Sequence, residues 1–131
     1  MNDRLLFLDT ETGGINPEKH SLLSIGIVVW EKGKGEIFSK EICIKDTEYH
    51  VTKSAIRINH FNKDEHEKNA VSPEIAIELF YEIKANYFAE YSFIPLAGHN
   101  ISFDVQFLNH FFSKNGRSFE KLFLHRLCVS L

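Results

Sequence analysis

Two cysteines, three prolines and the lack of any long apolar run exclude several classes at once. Cys43 and Cys128 fit no metal-ligand spacing, and so few thiols in a chain of this size point to a reducing compartment; a cytoplasmic location is the expectation. Nowhere do ~18 consecutive apolar residues occur, so no membrane helix is expected, and the N-terminus lacks the pattern of a secretory signal. No Walker loop, Ser-His-Asp order or zinc spacing is present. Excess charge of one sign is lacking too. The 15 Lys and Arg against 18 Asp and Glu leave a formal net of −3, not the footprint of a protein that grips nucleic acid by bulk electrostatics. Repeats, linkers and low-complexity segments are likewise missing.

What is there reads as one ordinary domain. The 131 residues are 44% hydrophobic and 25% charged, enough to bury a sizeable core. Twelve phenylalanines make that core aromatic, and most of them are expected to pack rather than to stack on bases.

Leu5-Leu6-Phe7-Leu8 is a short, wholly apolar run of the kind found in a strand buried on both faces. Asp9 and Glu11 follow at i and i+2, and alternation along a strand points both to one side, in line with Leu5 and Phe7. Two anions held together beside a core repel each other and resist ionisation unless a cation joins them. An all-oxygen donor set favours a hard divalent ion, Mg²⁺ or Mn²⁺. Acid pairs also occur as solvated turn residues, and Gly13-Gly14 follows here, so these few residues alone leave that plainer reading open.

A further carboxylate sits in His99-Asn100-Ile101-Ser102-Phe103-Asp104. Residues 93–97 before it form a short apolar segment broken by Pro95, with Gly98 as a strand terminus. After it Phe103, Phe107, Leu108, Phe111 and Phe112 recur at helical spacing, which makes Asn100 an N-cap and places Asp104 in the first turns of a helix leaving a strand end. Sites in open α/β sheets gather at the carboxyl ends of strands, so Asp104 can approach Asp9 and Glu11 if the two strands are parallel neighbours. The alternative is that Asp104 only complements the positive helix N-terminus.

The remaining chain reads as strands over about 4–9, 22–31 and 36–45, a polar segment over 47–71 with one or two short helices, and a last strand over about 124–129. Ser72-Pro73-Glu74 is a helix start, with Ile75, Leu79, Ile83 and Tyr87 marking its packing face and Ala76 and Phe80 beside it. Lys53, Arg57 and Lys63 could track a phosphate backbone or form a solvated helix face, the commoner case, and carry no functional weight here.

Together, Asp9-Thr10-Glu11-Thr12-Gly13-Gly14 and His99-Asn100-Ile101-Ser102-Phe103-Asp104 resemble the first and second motifs of the DEDD 3′–5′ exonucleases. By pattern the chain is similar to the histidine-type (DEDDh) members, such as the proofreading epsilon subunit of bacterial DNA polymerase III. Ile15-Asn16-Pro17 and Leu23-Ser24-Ile25-Gly26 support the likeness, which spans residues 5–131. It implies an α/β, ribonuclease-H-like exonuclease fold: a mixed five-stranded sheet with flanking helices. It implies hydrolysis of phosphodiester bonds at the 3′ ends of single-stranded DNA or RNA, using two Mg²⁺ or Mn²⁺ ions about 3.5–4 Å apart. On the family pattern Asp9 bridges both ions while Glu11 and Asp104 each hold part of the shell. Thr10 and Thr12 line the terminal nucleotide, Gly13 and Gly14 let the chain pass close to it, and Ile15 packs on the terminal base. His99, Asn100 and Phe103 support Asp104 or touch the sugar. A DNA polymerase subunit is an implied partner, and a membrane is not.

The family's third motif, a general-base histidine and a fourth carboxylate on a final helix, has no match here; His110 and His125 read as surface or packing residues. The expectation is therefore a single domain over 1–131, C-terminally incomplete, with that helix missing and an apolar strip uncovered. Little or no nuclease activity is expected of this chain, since general-base catalysis alone contributes ~10²–10⁴-fold. Two other classes stay open: a non-catalytic nucleic-acid-binding or polymerase-associated module of the same fold, and a phosphate hydrolase acting on mononucleotides. Three converging anions argue against the first, because a binding module has no need of them.

Overall fold

Alternation along the first strand divides the sheet into two unlike faces. A computed structural model describes residues 3–130, with side chains through residue 123. Strand β1 (Arg4–Thr12) turns Leu6, Leu8, Thr10 and Thr12 to the buried side and leaves Leu5 and Phe7 half-buried, Asp9 and Glu11 exposed, on the other. β2 (Leu22–Glu31) and β3 (Gly35–Cys43) follow as an antiparallel meander. β4 (Ile94–Gly98) lies parallel to β1, and β5 (Phe123–Ser130) parallel to β4. The order is β3-β2-β1-β4-β5, the mixed five-stranded sheet of a ribonuclease-H-like exonuclease fold.

Helices α1 (Lys53–Asn59) and α2 (Lys63–Asn69) fill the polar segment, and α3 (Pro73–Tyr87) and α4 (Ile101–Lys114) make the crossovers. A short 3₁₀ turn, Phe119–Lys121, precedes β5 and was not foreseen from sequence. Ser72 caps α3 by accepting from the Ile75 amide at 3.3 Å, with Pro73 in the first turn. The face α3 buries is Ala76, Ile77, Phe80 and Ile83; Ile75 is 53% exposed, so the face expected from sequence is rotated. Apolar residues cover more than half of this helix's circumference, and periodicity alone does not choose among the possible stripes.

The core lies between these two helices and one sheet face. Leu6, Leu8, Ile27, Val29 and Leu96 are all essentially inaccessible, and each such aliphatic stabilises by roughly 1.5–3 kcal/mol. Phe80, Phe112, Phe119 and Phe123 close it, with ring centroids 4.7–6.1 Å apart. These phenylalanines pack, as their number suggested. On the opposite face Leu5, Phe7, Val28, Trp30 and Pro95 remain half-buried, so the Leu5–Leu8 run is fully covered on one side only. His125 and Cys128 lie outside the residues with described side chains; Cys43 is a half-buried free thiol. Among the described residues no helix is long and apolar enough to cross a membrane.

Candidate active site

The end of β1 carries the first two carboxylates, and a register shift between Glu11 and Thr12 marks the place: Thr12 pairs with Leu22, skipping Leu23. Bulges of this kind re-aim side chains beside functional sites. The neighbouring parallel strand ends at Gly98. A Cβ there would sit 2.6 Å from the Leu8 carbonyl oxygen, so only glycine lets β4 approach β1 this closely. The chain then turns through Asn100, in the left-handed region at φ 55°, and enters α4. Asn100 holds the N-cap position without its side chain capping the helix.

One turn into α4, Asp104 is 3% exposed. Its Oδ1 accepts from the Thr10 amide at 3.2 Å and from the Thr10 hydroxyl at 2.5 Å. Thr10, on the buried face of β1, therefore latches α4 to the strand between Asp9 and Glu11. Asp104 faces that neighbouring strand, which its role as a helix-dipole complement does not explain.

Electrostatics at this edge are uncompensated. Burial, then the charges of Asp9, Glu41 and Asp104, raise the Glu11 pKa above the usual carboxylate range. Burial likewise raises Asp104, against the lowering effect of the two Thr10 hydrogen bonds, with Asp9 adding repulsion. Among the described residues no Lys, Arg or His forms an ion pair with Asp9, Glu11 or Asp104. All donors are oxygen and all are anionic, which in kind fits a hard divalent cation. Their side chains are not gathered about one point: among the described residues no three acidic, His or Cys groups stand close enough to hold an ion as placed.

Beside the carboxylates lies a cleft of about 260 Å³. One wall is Thr10, Glu11, Thr12, Gly14 and Ile15; the other is Ala55, Ile58 and Asn59 of α1, with Phe103 at one end. Asn59 ties the walls together, its Nδ2 donating to the Thr12 carbonyl at 3.0 Å. Ile15 is 83% exposed and Ile58 76%, an unusual cost for aliphatic side chains at the mouth of a cleft.

Of the residues singled out from sequence, Thr10, Glu11, Thr12, Ile15 and Phe103 line this cleft; Asp9 and Asp104 do not, though the charges of both act on Glu11, which does. Gly13 does not: it is buried under the turn, where a Cβ would collide with the His50 carbonyl oxygen at 2.0 Å, and its carbonyl accepts from the Thr52 amide. Nor do His99 and Asn100, which stand exposed at the β4–α4 junction. Sequence reading missed Ile58, Asn59 and Glu41. An isoleucine amid the polar residues of 52–60 was the available signal for Ile58. A larger hollow of about 560 Å³, between Ile44, Pro73 and Phe111, gathers none of the three carboxylates.

A family model described as Exonuclease (RNase_T) matches residues 6–129. The chain belongs to that exonuclease family. No curated protein matches it. Among solved structures, the exonuclease family chain is similar to a product-bound exonuclease I, with 16% identity over 90% of this chain and 27% of that one, TM-score 0.74. It is also similar to E. coli exonuclease I in complex with a dT13 oligonucleotide, with 17% identity, 88% and 25% coverage, and TM-score 0.72. The chain thus spans about a quarter of the length of these exonuclease I structures.

Proposed function

We propose that this protein hydrolyses phosphodiester bonds at the 3′ ends of single-stranded nucleic acid, with Asp9, Glu11 and Asp104 as the catalytic and metal-binding carboxylates. The observation that carries the reading is the latch between Asp104 and Thr10, which ties a third carboxylate to the end of the strand that bears Asp9 and Glu11, beside an open cleft. Family membership supports the same chemistry. Magnesium or manganese bound by these residues would polarise the phosphate and lower the pKa of an attacking water. The chain's own part is positioning. Thr10 holds Asp104 in one orientation, Asn59 fixes the cleft width, and Ile15 and Ile58 offer apolar surface to an unstacked base, a contact typically worth ~1–3 kcal/mol. A paired terminus would have to fray to enter, which favours single strands. Within this reading, the likeness of both motifs to the proofreading epsilon subunit makes a polymerase subunit the expected protein partner.

Product analysis tests the reading. Stoichiometric protein, Mn²⁺ and a single-stranded oligonucleotide over a long incubation should release nucleoside 5′-monophosphates. Nucleotide binding without release would indicate the non-catalytic module instead, and cleavage of mononucleotides would indicate the small-phosphate hydrolase.

A further inference from the structure

The lip of the cleft is held from behind by a side chain that takes no part in lining it. Ile15 projects from the turn after β1 and is 83% exposed, so no packing of its own side chain fixes where it points. Only the backbone on either side can do that, and His20 holds both neighbours. Its ring lies against the Gly14 α-carbon: a Cβ built on Gly14 would meet ring atoms of His20 at 2.4–2.6 Å, so only glycine leaves room for the imidazole there. On the other side of Ile15, Nδ1 of the same ring accepts from the Asn16 amide at 3.1 Å. An amide N–H can only donate, so Nδ1 is the acceptor nitrogen and the ring's proton is on Nε2. Backbone bonds close the loop, the Asn16 carbonyl accepting from the Lys19 and His20 amides at 3.1 and 2.8 Å. The Thr12 hydroxyl adds a brace, donating to the Gly14 carbonyl at 2.7 Å. Gly14 thus faces the cleft on one side and the imidazole on the other.

Resting on the proposed function, we infer that His20 is a positioning residue for the substrate: by clamping Gly14 and Asn16 it presents Ile15, across from Ile58, to the terminal base of a single strand. The gain is preorganisation. A loop already set in its bound conformation has less freedom to lose when the base arrives, and binding strengthens accordingly. Packing alone does not call for a histidine, since any planar ring would fill the space over Gly14. The bond from the Asn16 amide does call for an acceptor at the Nδ1 position.

Fluorescence anisotropy with a 5′-labelled single-stranded oligonucleotide and Mn²⁺, read before slow cleavage proceeds, tests this on the whole chain. Wild type should bind, and Ile15→Ala should bind about fivefold more weakly, the lower end of what a base contact contributes. His20→Phe keeps a ring over Gly14 without an acceptor for Asn16 and should weaken binding about threefold. His20→Asn, whose Oδ1 stands where Nδ1 does, should bind as wild type. In an Ile15→Ala background His20→Phe should cost nothing further, because the clamp then has no side chain to present. Amide hydrogen exchange reads the clamp itself: Asn16 should exchange faster in His20→Phe and as wild type in His20→Asn. Wild-type binding or unchanged Asn16 exchange in His20→Phe, an equal loss in His20→Asn, or a loss undiminished by Ile15→Ala would overturn the inference while leaving the proposed function standing. Failure of wild type to bind, or wild-type binding by Ile15→Ala, would overturn the inference together with the base contact it rests on. Circular dichroism on each variant verifies that loss of binding is not loss of fold.

Discussion

At the scale of single residues the site is a place where stability is given up. Asp104 is nearly inaccessible, its carboxyl pushed above the ordinary range by burial, and Glu11 feels the charges of three other carboxylates. Replacing Asp104 with Asn keeps an oxygen for the Thr10 donors and removes the charge. In metal-free protein at neutral pH, urea unfolding is expected to show Asp104→Asn more stable by about 1 kcal/mol; a variant less stable than wild type contradicts this. Thr10→Val should do the opposite, costing about 1–3 kcal/mol by stripping a donor from a buried carboxylate. The pH dependence follows from the directions of the shifts. Glu11 and Asp104 have folded pKa values above their ordinary ones, so their destabilisation is present at neutral pH and is relieved as pH falls into the raised range. Glu31, held low chiefly by its hydrogen bond from Arg4, with Lys34 adding to it, stabilises above the ordinary glutamate range and loses that only as pH falls through its lowered value. Metal-free protein should therefore gain stability as pH falls from neutrality into the raised titration range of Glu11 and Asp104, and the gain should shrink in Asp104→Asn.

At the scale of elements, backbone conformation supplies the sharpest tests. His60 ends α1 in the left-handed region, φ 52° and ψ 39°, where a Cβ is unfavourable. His60→Gly should stabilise by about 1 kcal/mol in thermal or urea unfolding, with no change in Mn²⁺ binding. Gly98→Ala should destabilise by about 1–3 kcal/mol, because the new methyl meets backbone of β1 rather than a side chain able to move. Strand and helix identities were legible because their signals were local: the apolar run before Asp9, the Ser72-Pro73-Glu74 start, the phenylalanine spacing after Asn100. The buried face of α3 was not, since its stripe is chosen by contact with Phe112 and Phe123, residues distant in sequence. That Asp9 and Glu11 lie at the end of β1 and Asp104 in the first turn of α4 was legible in advance from the apolar run and the phenylalanine spacing. The places of Glu41, Ile58 and Asn59 were not, because β3 register and the Asn59 link to Thr12 are tertiary facts.

At the scale of the molecule, one sheet face is covered by α3 and α4 and the other keeps Leu5, Phe7, Val28, Trp30 and Pro95 half-exposed. Apolar strips of this kind promote association. Light scattering should show mass rising with concentration, reduced when Val28 and Trp30 are replaced by Thr; a strict monomer at every concentration contradicts this. The strip runs toward Asp9 and Glu11 along the same face, so association and substrate access are expected to compete. The central claim is that the edge formed by β1 and α4 is the catalytic centre of a 3′–5′ exonuclease. Its most direct test is a gel time course on a 5′-labelled single-stranded oligonucleotide with Mn²⁺, comparing wild type with Asp9→Asn. A slow ladder shortening from the 3′ end in wild type and absent in the variant is the predicted result. Cleavage at internal positions, or a ladder that survives Asp9→Asn, would contradict the account.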